Sequence, residues 1–302
     1  MYIVEAPHGN TGRLRITAPR SPQNPFPLSH PDELVIEADR QEAQYWTDIW
    51  RYRELFVFFA WRDIIVRYKQ TVVGISWALI QPIITVTIFT IVFGRIARLP
   101  SEGAPYPMLV LAGLLPWQFF ADAVSGASNS LISNSNLVSK VYFPRLIVPA
   151  AAVVTTLVDF LIAFAILVAL MVWYQAFPDW RVLALPLFVL LAAGAAIGAG
   201  LWLAALNVKY RDFRFVVPFM LQAGLYISPV GFSTTVVSPS WRILYSLNPM
   251  VSVIDGFRWS LLRGSTALYM PGLAVSALVV VVILVSGIHH FRRTERHFAD
   301  LI

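Results

Sequence analysis

Long apolar runs alternate along the chain with short polar segments that carry most of its charge. The run from Ile75 to Gly94 contains no charged residue, and about 20 apolar residues are enough for a helix to cross the hydrocarbon core of a membrane. The pattern predicts six such spans. Their approximate ranges are 75–94, 107–126, 146–174, 182–206, 215–232 and 271–288. We therefore expect an all-α, polytopic membrane protein with a six-helix transmembrane domain over residues 74–291.

The segment before the first apolar run is amphipathic. On a helix, residues 46–73 would place apolar side chains on one face and most charged side chains on the other. The apolar positions are Val57, Trp61, Ile64 and Tyr68. Such a helix lies in the membrane interface with its cations near phosphates. We expect this interface helix to end at Gly74, and the proline-rich residues 1–45 to form a flexible cytoplasmic tail.

The connection before the last apolar run is too apolar for an ordinary loop. Its sequence predicts short helices over residues 233–264, with a break at Asn248-Pro249 and an end at Gly264. Half-helices of this kind enter a bilayer only where protein or water meets their polar groups. We therefore expect re-entrant helices before the last span. Residues 292–302 form a short basic tail after it.

Composition and charge agree with a membrane protein. Apolar residues make up 57% of the chain and charged residues 13%, against roughly a quarter charged in soluble domains. The net charge of +6 is explained by cytoplasmic loops rich in Lys and Arg, so we expect no nucleic-acid partner. Lys and Arg are concentrated in residues 51–74, 140–145 and 209–214 and in the C-terminal tail. This bias predicts that both termini lie in the cytoplasm.

Sequence signatures of catalysis and of nucleotide binding are missing. The chain contains no G-x-x-x-x-G-K-[ST] loop, H-E-x-x-H or G-x-S-x-G motif, and no cysteine. The spacing of His289, His290 and His297 fits no common set of metal ligands. We therefore expect no catalytic, cofactor-binding or metal-binding residue in this chain, and a role other than that of an enzyme.

A few residues inside the predicted spans are unusual for lipid-facing helices. Asp122 and Asp159 place carboxylates at membrane depth, where they are costly and often functional. Asp159 also fits a structural role, as the buried partner of a polar group on another helix. Gly194, Gly198 and Gly200 predict a site where the backbones of neighbouring helices approach closely.

Aromatic residues also lie inside the predicted spans. They are Trp77, Phe89, Phe93, Phe219 and Tyr226. An aromatic ring offers a flat apolar face on which the C–H surface of a sugar ring can stack without tight binding. This arrangement suits a conduit for a polymer. For any single one of these rings, packing in the core or against lipid is the favoured explanation.

Five motifs follow one another in a fixed order. They are R-D-x-x-x-R-Y-K-x-T-x-x-G-x-x-W from Arg62 to Trp77, A-G-L-L-P-W-Q-F-F from Ala112 to Phe120, K-V-Y-F-P-R from Lys140 to Arg145, N-V-K-Y-R-D from Asn207 to Asp212, and L-N-P-M from Leu247 to Met250. Together they resemble the permeases of polysaccharide-export ABC transporters, over a region from about Ile36 to the C-terminus. The ordered set is specific for that family and does not identify the cargo.

The resemblance implies a function and a set of partners. The protein would be the membrane subunit of a type-2 ABC exporter in the bacterial inner membrane. It would form a homodimer with twelve spans and pair with two copies of a separate ATPase, which would bind ATP and Mg²⁺. Its cargo would be a lipid-linked polysaccharide such as O-antigen, capsule or teichoic acid.

The resemblance also assigns candidate roles to residues. The coupling helix that contacts the ATPase would lie between Ser128 and Lys140, flanked by the interface helix. The candidate coupling residues are Arg62, Asp63, Arg67, Lys69, Asn129, Ser133, Asn134, Asn136 and Lys140. The first and fifth spans would line the channel, with Trp77, Gln81, Phe89, Phe93, Phe219 and Tyr226 as candidate wall residues. The re-entrant helices would gate its outer mouth through Asn248, Pro249, Asp255 and Arg258.

Two other functions remain open from the residues. The same machine could export another lipid or a drug, since the topology would be identical. A membrane glycosyltransferase or polymerase belongs to a different class and would normally carry a cluster of catalytic residues facing one side. We find no such cluster in the sequence.

Overall fold

Helices are the only regular secondary structure, with no strand, in the part of the chain that the computed structural model describes, which confirms the all-α prediction. The described residues are 41–69, 72–141, 143–210, 212–264, 266–295 and 298, without the side chains of 41–44, 72–79 and 139. Most of the predicted tail at 1–45 lies outside the described residues, as does part of the basic tail at 292–302.

The predicted interface segment consists of more than one helix. Helix α1 (Gln41–Arg51) belongs to a unit of its own, and α2 (Arg53–Lys69) begins the second unit. Helix α3 (Val72–Phe89) follows and contains Gly74. Gly74 therefore lies inside a helix, and the prediction that this glycine ends the helix is wrong.

The first apolar run ends in an unusual helical form. After α3 the chain continues as a π-helix over Thr90–Ile96, with Pro82 inside the preceding α-helix. A π-helix is wider than an α-helix, and π-helical turns are frequent at functional sites. No feature of the sequence predicts this segment.

Eight further α-helices complete the described part of the chain. They are α4 (Tyr106–Ser133), α5 (Ser135–Lys140), α6 (Ile147–Trp173), α7 (Leu185–Lys209), α8 (Phe213–Ile227), α9 (Arg242–Tyr245), α10 (Pro249–Leu261) and α11 (Met270–Glu295). Within the described residues, four helices are long and apolar enough to cross a membrane: α4, α6, α7 with the short 3₁₀ turn before it, and α11. They correspond to the second, third, fourth and sixth predicted spans.

Helix α4 extends past the predicted end of its span at residue 126. Its Ser- and Asn-rich end stays helical, and these side chains satisfy their donors on carbonyls of the preceding turn. The Ser128 hydroxyl donates to Ser125 O at 2.9 Å, and the Asn129 and Asn134 amides donate to Ser125 O and Ser130 O at 3.0 and 2.8 Å. The polar end of α4 is therefore a continuation of the helix.

Helix α4 is the centre of the helix bundle. It packs against α6 and α7 over much of its length and against α10 near its beginning, while α11 packs on α7. The most apolar stretch of α4 is 72% buried, against 22–28% in the other three long helices. The apolar surfaces of those helices therefore remain available to lipid or to another chain.

Helix α2 packs against the start of α6 through a face that the periodicity did not identify. Its buried residues are Phe59 and Ala60, whereas Val57 and Trp61 of the predicted apolar face are 62% and 63% exposed. Phe59 lies against Phe143 just before α6, with ring centroids 5.8 Å apart. Val57 and Trp61 thus point away from the bundle, as side chains in contact with lipid would.

The segment between α8 and α11 consists of short helices, as predicted. Two 3₁₀ turns, Thr234–Val236 and Pro239–Trp241, precede α9 and α10. The break at Asn248-Pro249 is confirmed, because Asn248 caps α10 by accepting a hydrogen bond from the Met250 N–H at 3.1 Å. The chain then reverses at Gly264, whose φ of +70° suits glycine.

The predicted close approach at the glycines of α7 is confirmed. A Cβ atom added at Gly198 would lie 2.7 Å from the backbone nitrogen of Leu284 in α11. On the other side, a Cβ at Gly287 would lie 2.4 Å from Gly198 O. The two helices are therefore in backbone contact.

Replacing Gly198 with Ala is expected to lower the melting temperature of the detergent-solubilised protein. The added methyl group meets backbone atoms that cannot rotate away, and overpacking of this kind costs about 1–3 kcal/mol. Gly126→Ala is the matched control, because its nearest neighbour would be the Ala152 Cβ at an ordinary 3.7 Å. Equal melting temperatures for the two variants would contradict the prediction.

Candidate functional site

At the end of the bundle where α4 finishes, a polar contact joins α2 to the start of α5. The Arg62 guanidinium donates to Asn134 Oδ1 at 2.7 Å and to Asp63 Oδ1 at 2.7 Å. It also lies 5.0 Å from the centre of the Phe59 ring. Since Asn134 immediately precedes α5, a displacement of α5 would be passed to α2 through this contact.

The other candidate coupling residues divide into two groups. Ser133, Asn136 and Lys140 are exposed around α5, and Lys69 is exposed at the end of α2. Asn129 is placed differently: its Oδ1 accepts a hydrogen bond from Asn207 at 3.0 Å. It therefore joins α4 to α7 inside the bundle and is not part of the exposed surface.

Arg67 and Tyr68 reach from α2 to a carboxylate in the middle of α6. Arg67 Nη1 lies 2.5 Å from Asp159 Oδ2, and the Tyr68 hydroxyl donates to Asp159 Oδ1. The Asp159 side chain is only 21% exposed, so this cationic partner compensates a carboxylate inside a membrane span. The contact fits a structural role for Asp159. It also distinguishes Arg67 from the exposed coupling candidates, because Arg67 binds a carboxylate of α6.

The candidate channel residues differ in exposure. Phe219 and Tyr226 on α8 are 71% and 60% exposed, and Gln81 on α3 is exposed. Phe89 is buried, with its ring centre 5.3 Å from that of Phe93. The Trp77 side chain lies outside the described residues.

Phe89 and Phe93 instead support the segment that follows α8. A Cβ atom at Gly231 would lie 2.7 Å from the Phe93 ring and 3.2 Å from the Phe89 ring. The Tyr106 hydroxyl donates to Gly231 O at 2.6 Å. These aromatic side chains therefore hold the start of the predicted gate. Among the channel candidates whose side chains the structure describes, Phe219, Tyr226 and Gln81 are the exposed ones.

Arg258 is the anchor of the predicted gate. It is fully buried, and its guanidinium donates to three carbonyl oxygens: Leu109 O at 3.1 Å, Val230 O at 2.9 Å and Phe232 O at 2.8 Å. Gly113 leaves the space it needs, since a Cβ there would lie 2.8 Å from Nη2. One side chain thus ties α10, α4 and the turn after α8 together.

The other predicted gate residues surround this anchor. Pro249 begins α10, and Asn248 donates to Ser228 Oγ at 2.9 Å, so the cap of α10 also holds the end of α8. Asp255 is buried one turn before Arg258 on α10, which is not among the long membrane-spanning helices. Burial raises the pKa of the Asp255 carboxyl to about 7, although the Arg258 guanidinium opposes this shift.

Sequence reasoning missed further residues that fix the gate. Glu102 accepts hydrogen bonds from Ser233 and, at 3.0 Å, from Thr235 Oγ1. Tyr245 donates to Ile227 O at 2.7 Å. No signal in the sequence pairs these positions, because each contact joins loops or helix ends that are distant along the chain. Among the described residues, no group of His, Asp and Glu is arranged to hold a metal ion.

Comparison with known proteins identifies relatives of this chain. The chain is 29% identical over 258 residues to the O-antigen export system permease protein RfbA of Myxococcus xanthus, covering 84% of this chain and 98% of that protein. It is 24% identical to the RfbA protein of Klebsiella pneumoniae, over 82% of this chain and 95% of the relative. It is 25% identical to the polysialic acid transport protein KpsM of Escherichia coli, over 78% and 91%.

The family profile described as ABC-2 type transporter matches residues 54–262, which includes α2 to α10 except the first residue of α2. The profile match covers the ion pair to Asp159, the coupling residues and the gate anchor. It extends over more than half of the chain and agrees with the all-helical bundle of apolar helices. This chain is therefore a multi-pass integral membrane protein that belongs to the ABC-2 type transporter family.

Proposed function

We propose that this chain is the permease subunit of an ATP-driven exporter that moves a lipid-linked, O-antigen-like polysaccharide across the bacterial inner membrane. The observation that carries the proposal is the similarity to O-antigen export permeases, which extends over 98% of the Myxococcus xanthus protein. Membership of the family supports a partner ATPase subunit, present in two copies. ATP and Mg²⁺ belong to that partner, and this chain supplies the path.

The proposal includes six spans with both termini in the cytoplasm. The four long apolar helices support four of the spans. The described apolar helix Ile80–Ile96 and helix α8 are shorter and supply the first and fifth. Helix α10 and the turns before it are then re-entrant on the outer side, where Arg258 meets the carbonyl oxygens that lipid would leave unsatisfied.

A homodimer provides the channel in this proposal. Helices α3 and α8 carry large exposed apolar side chains, including Ile83 at 53% and Phe219 at 71% exposure. Together with Gln81 and Tyr226, these surfaces in two copies would form a wide wall with few strong binding groups. A wall of this kind lets a polymer slide because no single contact holds it tightly.

Coupling to the ATPase uses the exposed surface around α5 in this proposal. Closure of the ATPase dimer on ATP would push α5, and the Arg62–Asn134 contact would pass the movement to α2. The Arg67–Asp159 contact would pass it on to α6. Rigid helices joined by charged contacts transmit such a displacement better than flexible loops do.

Deleting the gene in the native bacterium is expected to abolish surface polysaccharide and to leave lipid-linked glycan in the inner leaflet of the inner membrane. Surface glycan is measured on whole cells, and the inner-leaflet pool is measured with a lectin on inside-out vesicles. Re-expression of this chain should restore export, whereas removal of the partner ATPase should reproduce the deletion. Normal surface glycan in the deletion strain would refute the proposal and point to another lipid or a drug as cargo.

A further inference from the structure

A cavity of about 270 Å³ lies between the end of α2 and the middle parts of α3, α4 and α6. Its floor consists of buried side chains of α4, including Leu111 and Leu115. Gln81 of α3 and Arg67 of α2 are exposed at its mouth. The cavity lies near the middle of α4 and α6, apart from the exposed surface around α5 and from the gate residues described above, and the Arg67–Asp159 contact borders it.

Polar groups converge on this cavity in a way that packing does not require. Asp159 lines it together with its partners Arg67 and Tyr68. Asp122 also lines it, and both of its carboxylate oxygens are 3.0 Å from Gln118 Nε2. A carboxylate is costly at membrane depth, and the ones that persist there generally mark a pathway or a ligand site. Apolar side chains at these positions would pack the helices together at a lower cost in free energy.

The charges indicate which ligand fits. The described lining contains one cation, Arg67, which already compensates Asp159, and a second carboxylate, Asp122. A phosphate or pyrophosphate would therefore face an uncompensated negative charge. Carboxylate and amide oxygens are strong acceptors for hydroxyl groups. The lining thus favours an uncharged ligand that donates several hydroxyl hydrogen bonds.

The size and the walls of the cavity indicate more closely which class of ligand fits. A volume of about 270 Å³ is just below the usual range of roughly 300–1,000 Å³ for drug-sized ligands, so it suits a single ring. Phe119 and Phe160 contribute apolar aromatic surface to its wall, which the C–H groups of a sugar ring can contact. We propose that this cavity binds one uncharged sugar ring of the transported glycan. The proposal rests on the function proposed above and adds a binding site that opens beside Gln81 of the proposed channel wall.

Site-specific photo-crosslinking in cells tests this site. Ala163 of α6 lines the cavity, and Leu161, two residues earlier on α6, is 57% exposed and does not line it. Each is replaced in turn by benzoylphenylalanine in cells that hold a hydrolysis-deficient ATPase and a radiolabelled sugar precursor. We expect a sugar-labelled adduct from Ala163→benzoylphenylalanine and not from Leu161→benzoylphenylalanine. Adding Asp122→Asn should reduce the yield of this adduct several-fold, because the amide accepts hydroxyl hydrogen bonds less strongly.

The possible results of the crosslinking experiment distinguish failure of the cavity site from failure of the proposed exporter function. A crosslinker at Thr85, on the opposite wall, provides a second probe if the Ala163 variant does not accumulate. A phospholipid adduct without sugar label at the cavity would overturn the inference in favour of a lipid headgroup. Sugar adducts at Phe219 of the channel wall but not at the cavity would overturn it and leave the exporter function intact. No sugar adduct at any position, with normal surface glycan in the deletion strain, would refute both.

Discussion

Arg258→Met is expected to prevent the permease from accumulating as a folded protein. The change removes the donor from three carbonyl oxygens, those of Leu109, Val230 and Phe232, and takes a cation away from buried Asp255. Removing one partner of a buried charged network costs about 3–5 kcal/mol. Since whole proteins are stable by about 5–15 kcal/mol, the loss should be visible as low folded yield after detergent extraction.

Two milder variants make the prediction specific to the three-carbonyl contact. Arg258→Lys should be intermediate, because an ammonium group cannot replace a planar fork that reaches three acceptors. Gly113→Ala should also be intermediate, since its methyl group would press on Arg258 Nη2 from 2.8 Å. Arg263→Met is the control: this exposed residue just after α10 makes its hydrogen bond to Phe177 O at the surface.

The comparison is made by size-exclusion chromatography and by thermal melting in one detergent. The predicted order of stability is Arg263→Met above Gly113→Ala and Arg258→Lys, with Arg258→Met lowest. A melting temperature for Arg258→Met equal to that of Arg263→Met would show that the buried guanidinium does not hold the gate.

The helices that could be predicted are those with a local cause. Long apolar runs with few charged residues predicted α4, α6, α7 and α11, because length and hydropathy alone select a span. Asn248-Pro249 predicted the start of α10 because the cap forms within three residues. The glycines of α7 predicted a close helix contact because only small residues permit one.

The contacts that fix the candidate site could not be predicted because they join distant parts of the chain. Arg258 and Leu109 are 149 positions apart, and no local pattern links a guanidinium to a particular carbonyl. The packed face of α2 was missed for another reason. Its aromatic and aliphatic residues lie all around the helix, so Phe59 and Ala60 are buried while Trp61 is exposed. The end of α4 was placed too early because hydrophilic Ser and Asn residues can satisfy themselves within a helix.

Reversing both charges of the Arg67–Asp159 pair is expected to recover much of the stability that either reversal alone destroys. Arg67→Asp places two carboxylates together at membrane depth, and Asp159→Arg places two guanidinium groups there. Each single change should cost about 1–3 kcal/mol, between the values for exposed and buried pairs, because the side chains are 46% and 21% exposed. Recovery should be partial, since the Tyr68 hydroxyl loses its carboxylate acceptor in the double variant.

A double-mutant cycle measures this coupling through melting temperature, and export of glycan follows the same variants. The matched control combines Asp159→Arg with Lys69→Asp, because Lys69 is an exposed cation two residues along the same helix. Contacting residues typically show coupling of about 0.5–3 kcal/mol, whereas the control pair should be additive. Equal recovery in both double variants would mean that net charge near α2 matters and that the direct contact does not. Recovery confined to the Arg67 pair would establish that α2 is fastened to α6, as transmission of a push from the cytoplasm to the spans requires.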